Sequence, residues 1–363
     1  MIPKTMQAMV LHGHGDLDQY GWHDDWPTPT PGPHQVLIKV AACGLNNTDV
    51  NTRSGWYSKV VTEATTGVTK VEPGAEDPAW GGAPITFPRI QGADVCGHVV
   101  AVGAEANQDL IGKRVITDNW LRDWDDPLDK TRTGYYGSEA DGGFAEYTVT
   151  DHRNVAAIDS PLSDAELATF SCSYSTAEGM LARAHVGPGD RVLITGASGG
   201  VGSALVQLAK RRGASVIAMA SEAKHEALRA LDPDALLPRA PGDLRAALKS
   251  ATGSDQVDVV ADIVGGPGFA AIIDVLARGG RYTCSGAIAG PMVTLDLRTL
   301  YLRDLTFTGS TVIDPHVFTD LVGYIERGEI RPMLAATYPL SDLAAAQTAF
   351  IDKAHTGNIV VEP

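Results

Sequence analysis

The stretch RVLITGASGGVGSALVQLAK, residues 191–210, decides the fold. Its apolar start is typical of a buried strand, and the residues after Gly202 have the periodicity of a helix without a further glycine. Glycines crowd the turn between the two. A strand, a glycine-rich turn and a helix bring free backbone N–H groups and the positive end of a helix dipole together, which favours a bound pyrophosphate. The stretch therefore predicts a dinucleotide site within a βαβ unit.

The small residues of the turn follow the G-x-G-x-x-G pattern with one change. Ala197 takes the place of the first glycine, and Gly199 and Gly202 take the second and third. Small residues are needed because a Cβ would hold the phosphates away from the backbone amides. A tight turn without a ligand is the alternative. The predicted cofactor contacts of the turn are Ala197, Ser198, Gly199, Gly200, Val201 and Gly202.

The end of the next strand, SVIAMASEAK at 215–224, bears on which dinucleotide is bound. An NAD site has a carboxylate there for the ribose hydroxyls, whereas the 2′-phosphate of NADP is repelled by one. Ser221 can donate a hydrogen bond to a phosphate, and Lys224 can supply positive charge. Glu222 has the sequence offset of an NAD carboxylate but follows the strand by two residues. We expect NADPH, with NADH as the alternative.

The rest of the chain divides into two compositional halves. Residues 1–155 are rich in short Val-rich runs bounded by Gly and Pro, which predicts β-structure. From about residue 160, strands alternate with helix-like runs at 200–212, 222–231 and 268–277, which predicts a parallel α/β sheet. Two aperiodic segments, 59–88 and 118–141, have the length of functional loops, with surface decoration as the alternative.

Composition excludes several classes of partner. The 363 residues carry a formal net charge of −15, which argues against a nucleic-acid partner. No uninterrupted apolar segment approaches the length of a membrane span, and the N-terminus lacks the apolar core of a signal peptide. The four cysteines are scattered without a C-x-x-C pair. We expect a reduced, cytoplasmic protein with a small-molecule substrate and no membrane partner.

The chain resembles the medium-chain dehydrogenase/reductase superfamily over essentially its whole length. The matching segments, in order, are CGLNNTDVNTRSGWY, QGADVCGHVVAVG, IGKRV, DGGFAEYTVT, TAEGML, the glycine-rich stretch, DVVADIVGG, LARGGRYTCSGA and HTGNIVVEP. The resemblance implies an α/β protein with a GroES-like, β-rich catalytic domain over 1–157 and 315–363. It implies a Rossmann NADP-binding domain, a doubly wound parallel sheet, over 158–314. An active site in the cleft between them and a homodimer formed through the Rossmann edge strand follow from the same resemblance.

The resemblance also bears on zinc, which some branches of the superfamily use. Zinc members have a Cys where this chain has Asn46, and a His where it has Ala93. Their third ligand falls near Cys172 or Ser173, and the segment that holds their structural zinc contains no cysteine here. The chain is therefore similar to the zinc-free, quinone oxidoreductase-like branch, and no metal is expected. Asp94, Cys96 and His98 share one strand face and form the alternative metal set, but His98 is expected to be a packing residue.

Without zinc, the simplest reaction is hydride addition to a C=C bond conjugated to a carbonyl, or to a quinone. The protein must then donate a hydrogen bond to the carbonyl oxygen and supply a proton. Tyr57, in RSGWY, is similar to a family tyrosine that lines the substrate site; a packing aromatic is the alternative. Asn46 can donate to a substrate oxygen or a ribose, or form only a turn. Thr48 matches the family's proton-relay position, and Asp49 is expected to orient its neighbours.

Further cofactor contacts are expected from the matching family segments and from the strand ends of the α/β half. They are Thr176, Val264, Gly265, Ser285, Gly286, Ala287 and Asn358. The sequence thus predicts a zinc-independent, NADPH-dependent reductase of enones, enals or quinones. A metal-free carbonyl or alcohol oxidoreductase is the enzymatic alternative, and an NADPH-binding sensor or structural protein with little turnover is the alternative of another class.

Overall fold

The structure is a computed structural model that describes residues 1–65 and 84–363. These residues form two compact units. The first contains residues 1–61, 84–172 and 314–363, and the second contains residues 62–65 and 173–313. Relative to the boundaries expected from the sequence, residues 158–172 and residue 314 lie in the first unit and residues 62–65 in the second. Much of the aperiodic segment 59–88 lies outside the described residues.

The strands are, in chain order, β1 (Thr5–Leu11), β2 (Tyr20–Pro27), β3 (Gln35–Gly44), β4 (Arg89–Ile90), β5 (Asp94–Val102), β6 (Arg114–Thr117), β7 (Trp120–Arg122), β8 (Thr133–Tyr135), β9 (Tyr147–Asp151), β10 (Val155–Ala157), β11 (Arg191–Ile194), β12 (Ser215–Ala220), β13 (Ala235–Pro238), β14 (Val257–Asp262), β15 (Leu276–Cys284), β16 (Thr306–Gly309), β17 (Leu334–Pro339) and β18 (Asn358–Glu362).

The α-helices are α1 (Asn47–Ser54), α2 (Asp164–Leu167), α3 (Ser171–Arg183), α4 (Gly200–Arg211), α5 (His225–Arg229), α6 (Leu244–Thr252), α7 (Phe269–Asp274), α8 (Leu297–Leu302), α9 (Pro315–Glu326) and α10 (Leu343–Asp352). Short 3-10 helices cover Leu17–Gln19, Gln108–Leu110, Lys130–Arg132, His152–Asn154, Glu222–Lys224, Gly266–Gly268 and Leu340–Asp342. The second predicted helical run, 222–231, is shorter than expected because its first turn is a 3-10 turn. Within the described part of the chain, no helix is long and apolar enough to span a bilayer.

The first unit is built on a largely antiparallel sheet in the order β10-β6-β5-β3-β18-β17, with β9 also pairing with β3. A smaller sheet, β2-β1-β4, and the hairpin β7-β8 accompany it. In the central pair, Gly44 at the end of β3 lies opposite Asp94 at the start of β5. A Cβ at Gly44 would lie 2.2 Å from the Ala168 carbonyl oxygen, so only glycine fits there. This pairing brings the start of α1 beside β5.

The second unit is a parallel sheet whose described strands lie in the order β13-β12-β11-β14-β15-β16. The chain moves outward from β11 to β13 on one side, then returns to β14 and continues to β16 on the other. The reversal next to β11 is a topological switch point, where doubly wound sheets bind ligands. The predicted α/β class, with a GroES-like part and a Rossmann-type parallel sheet, is confirmed. The buried core of the second unit includes Leu193, Ile217, Val260, Ile272 and Leu276.

Candidate active site

The glycine-rich turn of the second unit connects β11 to α4. Gly196 has a left-handed φ of 60°, and Gly199 is the N-cap of α4. The first N–H groups of a helix have no acceptor within it and lie at the positive end of the dipole. A Cβ at Gly199 would have no neighbour nearer than the Gly196 oxygen at 3.7 Å. The backbone at Gly199 is therefore bare on the side where a diphosphate would approach, and the turn fits the predicted dinucleotide.

Gly202 serves a different purpose in the same turn. A Cβ there would lie 2.1 Å from the Gly196 oxygen and 2.6 Å from the Ala197 Cα. The first turn of α4 thus packs directly against the strand–helix loop, and a side chain would force them apart.

The ends of β14 and β15 are organised by a buried carboxylate, Asp262. Its Oδ1 accepts hydrogen bonds from the Thr195 hydroxyl at 2.5 Å and from the Val264 N–H at 2.9 Å. Its Oδ2 accepts from the Tyr282 hydroxyl at 2.9 Å. These bonds hold the turn at Val264 and Gly265, and Gly265 has a left-handed φ of 60°. The sequence analysis missed Asp262, although a carboxylate at a strand end in DIVGG is a recognisable signal.

Two cations lie at the ends of the neighbouring strands β12 and β13. Lys224 is half-buried, and its pKa is lowered by burial and then by the nearby charge of Arg239. In the sheet, Ala220 pairs with Pro238, so the residues after both strands meet at one edge. Glu222 is exposed. Arg239 was not predicted because it follows the next strand, and only the strand pairing brings it to Lys224.

In the first unit, the N-terminus of α1 carries Asn46 and Thr48. Asn46 is the N-cap, is 6% exposed, and its N–H donates to Asp49 Oδ2 at 2.7 Å. Asp49 therefore orients the start of the helix, consistent with the role expected for it. The buried atoms Asn46 Nδ2, Thr48 Oγ1 and Asp94 Oδ2 have no hydrogen-bond partner of good geometry among the described residues.

The carboxyl groups of Asp49 and Asp94 are both buried. Burial raises the pKa of Asp49 to about 7, against opposing hydrogen bonds from the backbone of Asn46 and Gly92. Burial also raises the pKa of Asp94 to about 8, and the charge of Asp49 raises it further, while the Asn46 side chain and the Cys172 N–H favour the ionised form. The Cys172 N–H donates to Asp94 Oδ1 at 2.7 Å. Near neutral pH both carboxyl groups can hold or release a proton.

Two phenols complete the polar cluster of the first unit. Burial raises the pKa of Tyr57, with the Asn51 side chain opposing the shift. Burial also raises the pKa of Tyr135, whose surroundings include Cys172, Asp94 and Thr48. Both phenols are therefore protonated at neutral pH. Because Asn119 Nδ2 donates to the Tyr135 oxygen at 2.9 Å, the Tyr135 proton is directed elsewhere. Sequence patterns missed Tyr135 because it lies in the aperiodic segment 118–141.

Three further residues have placements that the sequence did not settle. Asn358 is 5% exposed in β18 of the first unit, and its Nδ2 donates to the Thr169 carbonyl at 3.1 Å. Thr176 is half-buried on α3 of the second unit. His98 is exposed on β5, so the expectation that it packs in the core is wrong. Within residues 1–65 and 84–363, no group of three or more His, Cys, Asp or Glu is arranged to hold a metal ion.

The predicted site residues fall into two groups. The second unit contains Thr176, Ala197, Ser198, Gly199, Gly200, Val201, Gly202, Ser221, Lys224, Val264, Gly265, Ser285, Gly286 and Ala287, and the first contains Asn46, Thr48, Tyr57 and Asn358.

Comparison with known proteins identifies a known family in each half of the chain. Residues 32–160 match the family model of the alcohol dehydrogenase GroES-like domain, and residues 200–327 match that of zinc-binding dehydrogenases. A crystal structure from Sinorhizobium meliloti 1021, provisionally assigned as an alcohol dehydrogenase, is 44% identical with a TM-score of 0.91; the match covers 100% of this chain and 98% of the other. The chain belongs to the medium-chain dehydrogenase/reductase superfamily.

Curated relatives of this superfamily member are oxidoreductases. A quinone oxidoreductase of Pongo abelii is 26% identical over 361 residues, covering 96% of this chain and 94% of that protein. The chloroplastic NADPH-dependent alkenal/one oxidoreductase of Arabidopsis thaliana is 27% identical over 367 residues, covering 100% of this chain and 81% of that protein. The chain is an NAD(P)H-dependent oxidoreductase of the medium-chain dehydrogenase/reductase type.

Proposed function

We propose that the protein is a zinc-independent, NADPH-preferring reductase that adds hydride to a C=C bond conjugated to a carbonyl, or to a quinone. The observation that carries this proposal is the donor set of the first unit. Where zinc members have two ligands, this chain has Asn46 and Ala93. The donors available there include the buried Asn46 amide and the phenols of Tyr57 and Tyr135, which keep their protons at neutral pH.

The residues fit the nicotinamide cofactor but not zinc. Gly199 has no side chain and leaves the N-terminus of α4 open to a diphosphate, since the nearest described neighbour of a Cβ there would be the Gly196 oxygen at 3.7 Å. Zinc instead needs three or four ligands from Cys, His and carboxylates. Ala93 offers no donor atom and the Asn46 amide is a weak ligand, so the residues at these two positions do not fit zinc.

The first unit would stabilise charge on the substrate oxygen. When bound, the reduced nicotinamide supplies the hydride. The Asn46 amide and the Tyr57 hydroxyl can donate hydrogen bonds to the carbonyl oxygen as negative charge develops on it. Tyr57 then has a proton to give, and Thr48 would pass one on. Asp94 holds the local backbone through the Cys172 N–H.

Preference for NADPH rests on the two cations at the end of the parallel sheet. The pKa of Lys224 is lowered by burial and then by the charge of Arg239, and a 2′-phosphate would relieve the repulsion between these two cations. Lys224→Ala and Arg239→Ala are each expected to raise KM for NADPH about tenfold and to leave KM for NADH within about twofold. Arg229→Ala, an exposed residue paired with Glu226, is the control. Equal effects on both cofactors would contradict the preference.

We propose in addition that the protein is a homodimer in which the second units of two copies of the chain associate. Among the described strands of its sheet, β16 is an edge and pairs only with β15. The segment before β16 exposes large apolar side chains, namely Met292, Val293, Leu297, Tyr301 and Leu302. An apolar surface beside an open strand edge suits association with an identical edge.

The four cysteines, none in a disulfide, support a reducing, cytoplasmic location.

A specific observation favours a second candidate, a metal-free carbonyl or alcohol oxidoreductase. Burial raises the pKa of Asp49 to about 7 and that of Asp94 to about 8, and Thr48 lies near the Tyr135 hydroxyl, so these groups could pass a proton to a C=O group. The deciding experiment measures oxidation of NADPH and NADH with enones, quinones and aldehydes after chelator dialysis. Turnover of enones or quinones is expected. Aldehyde turnover alone would favour the second candidate, and loss of activity restored by zinc would overturn zinc independence.

A further inference from the structure

Helix α1 carries or adjoins each candidate catalytic side chain of the first unit. Asn46 is its N-cap, Thr48 lies in its first turn, and Tyr57 follows its C-terminal Gly55. A helix of eight residues is not stable by itself in water. Tertiary contacts must therefore decide where these side chains lie.

Buried and half-buried polar side chains form a ring of hydrogen bonds that begins and ends on α1. Arg53 Nε donates to Gln347 Oε1 at 3.1 Å, and Gln347 Nε2 donates to the Tyr20 hydroxyl at 2.8 Å. The Tyr20 hydroxyl donates to Gln91 Oε1, and Gln91 Nε2 donates to the Asp49 carbonyl at 3.2 Å. The ring joins α1 to β2, to the residue after β4 and to α10.

Chemistry fixes the direction of every bond in this ring. The Arg53 guanidinium can only donate, so Gln347 must turn its oxygen to Arg53 and its amide to Tyr20. Tyr20 then accepts from Gln347 and donates to Gln91. Burial, followed by the charge of Asp49, raises the pKa of Tyr20, so its proton stays in place. Arg53, Gln91 and Gln347 are 3%, 1% and 0% exposed and Tyr20 is half-buried, so the guanidinium and amide groups of the ring are shielded from water.

A second bond from α10 reaches the other end of α1. Lys353 Nζ, just after α10, donates to Asn47 Oδ1 at 3.0 Å. The residue that follows α10 therefore contacts the first residue of α1, and α10 itself reaches the last turn of α1 through the ring.

We propose that this ring positions α1 for catalysis, and that Gln347 is a positioning residue of the reaction although it is far from Asn46, Thr48 and Tyr57 in sequence. The inference rests on the proposed function, which assigns those three side chains their roles. A buried, one-way chain of hydrogen bonds leaves α1 one favourable orientation. Removing one member leaves the remaining groups unsatisfied and allows α1 to shift.

The test compares two substitutions that remove the same kind of bond. Gln347→Met breaks the ring, whereas Gln207→Met breaks an amide-to-phenol bond in the second unit, where Gln207 Nε2 donates to the Tyr174 hydroxyl at 2.9 Å. We expect Gln347→Met to lower kcat about tenfold or more with KM for NADPH within about twofold. Hydrogen exchange of residues 46–55 should accelerate. Gln207→Met should leave both kcat and this exchange rate unchanged.

Gln347→Glu separates orientation from stability. A carboxylate still accepts from Arg53 but cannot donate to Tyr20, so Tyr20 would donate to it instead and Gln91 would lose its donor. We expect Tm to be retained and kcat to fall. Unchanged kcat and exchange in both Gln347 variants, or equal kcat losses for Gln347→Met and Gln207→Met, would overturn the proposal. If the wild-type protein reduces no enone or quinone, the proposed function fails, and exchange of residues 46–55 still decides whether the ring positions α1.

Discussion

The Tyr57 phenol lies half-buried beside the Asn51 side chain, and burial keeps its proton in place at neutral pH. In the proposed reaction it donates to an oxygen that becomes negative only as hydride arrives. Such donors act mainly on the transition state, so their loss lowers kcat more than it raises KM.

Tyr57→Phe is therefore expected to lower kcat by about tenfold to a thousandfold, with KM for NADPH little changed. Steady-state kinetics with an enone and a quinone measure this effect. Tyr338→Phe, a half-buried tyrosine on β17 of the same unit, is the matched control. An unchanged kcat in Tyr57→Phe would remove Tyr57 from the mechanism.

The raised pKa of Asp94 predicts how the stability of the folded protein depends on pH. Its folded pKa of about 8 lies above the ordinary value of 3.8, so the folded protein keeps a proton that the unfolded chain has lost. The stabilisation from this group is complete below pH 3.8 and is lost as pH rises through about 8.

Asp94→Asn cannot ionise and retains an oxygen for the Cys172 N–H. Relative to the wild type, we expect it to gain about 1 kcal/mol or more of stability between pH 5 and pH 8.5, or about 2 to 4 °C in Tm. Thermal unfolding of both proteins across this range measures the difference. A constant difference would mean that Asp94 is not buried in its neutral form.

At the scale of the element, the β11–α4 turn separates two uses of glycine. Gly202 is required by packing, because a Cβ would lie 2.1 Å from the Gly196 oxygen. Gly199 has room for a Cβ, at 3.7 Å from its nearest neighbour, and a φ of −84° that alanine adopts readily.

Gly199→Ala should therefore keep the Tm of the wild type and weaken NADPH binding about tenfold or more, because the methyl group enters the space of the diphosphate. Gly202→Ala should cost about 1 to 3 kcal/mol of stability through overpacking. Calorimetry for binding and thermal unfolding for stability test the pair. Equal NADPH affinity in Gly199→Ala and the wild type would refute the assigned diphosphate position.

At the scale of the whole molecule, the exposed apolar segment before β16 predicts association. We expect sedimentation to give twice the chain mass of 38.2 kDa. A Leu297→Lys/Leu302→Lys double variant should shift the protein towards monomer, since it places charge on that surface. Leu128→Lys, at an equally exposed leucine of the first unit, should not. A monomeric wild-type protein would refute the homodimer.

The sequence by itself determined the class of fold and the cofactor turn. The signals are local: a strand, a glycine-rich turn and a helix within 20 consecutive residues, 191–210, and a repeated strand–helix rhythm. The family motifs also singled out Asn46, Thr48 and Tyr57 within one short stretch of the chain. These features depend on neighbours along the chain, which periodicity and spacing can reveal.

Only the tertiary structure decided which distant residues join them. Arg239 reaches Lys224 because β12 and β13 pair, and Tyr135 joins the polar cluster from a segment without periodicity. Gln347 closes the ring on α1 from the C-terminal helix. Burial, which raises the pKa of Asp49 and Asp94, is likewise a property of the packed unit. Hydrogen bonds and charges act through space, so sequence separation conceals partners that strand register and packing bring into contact.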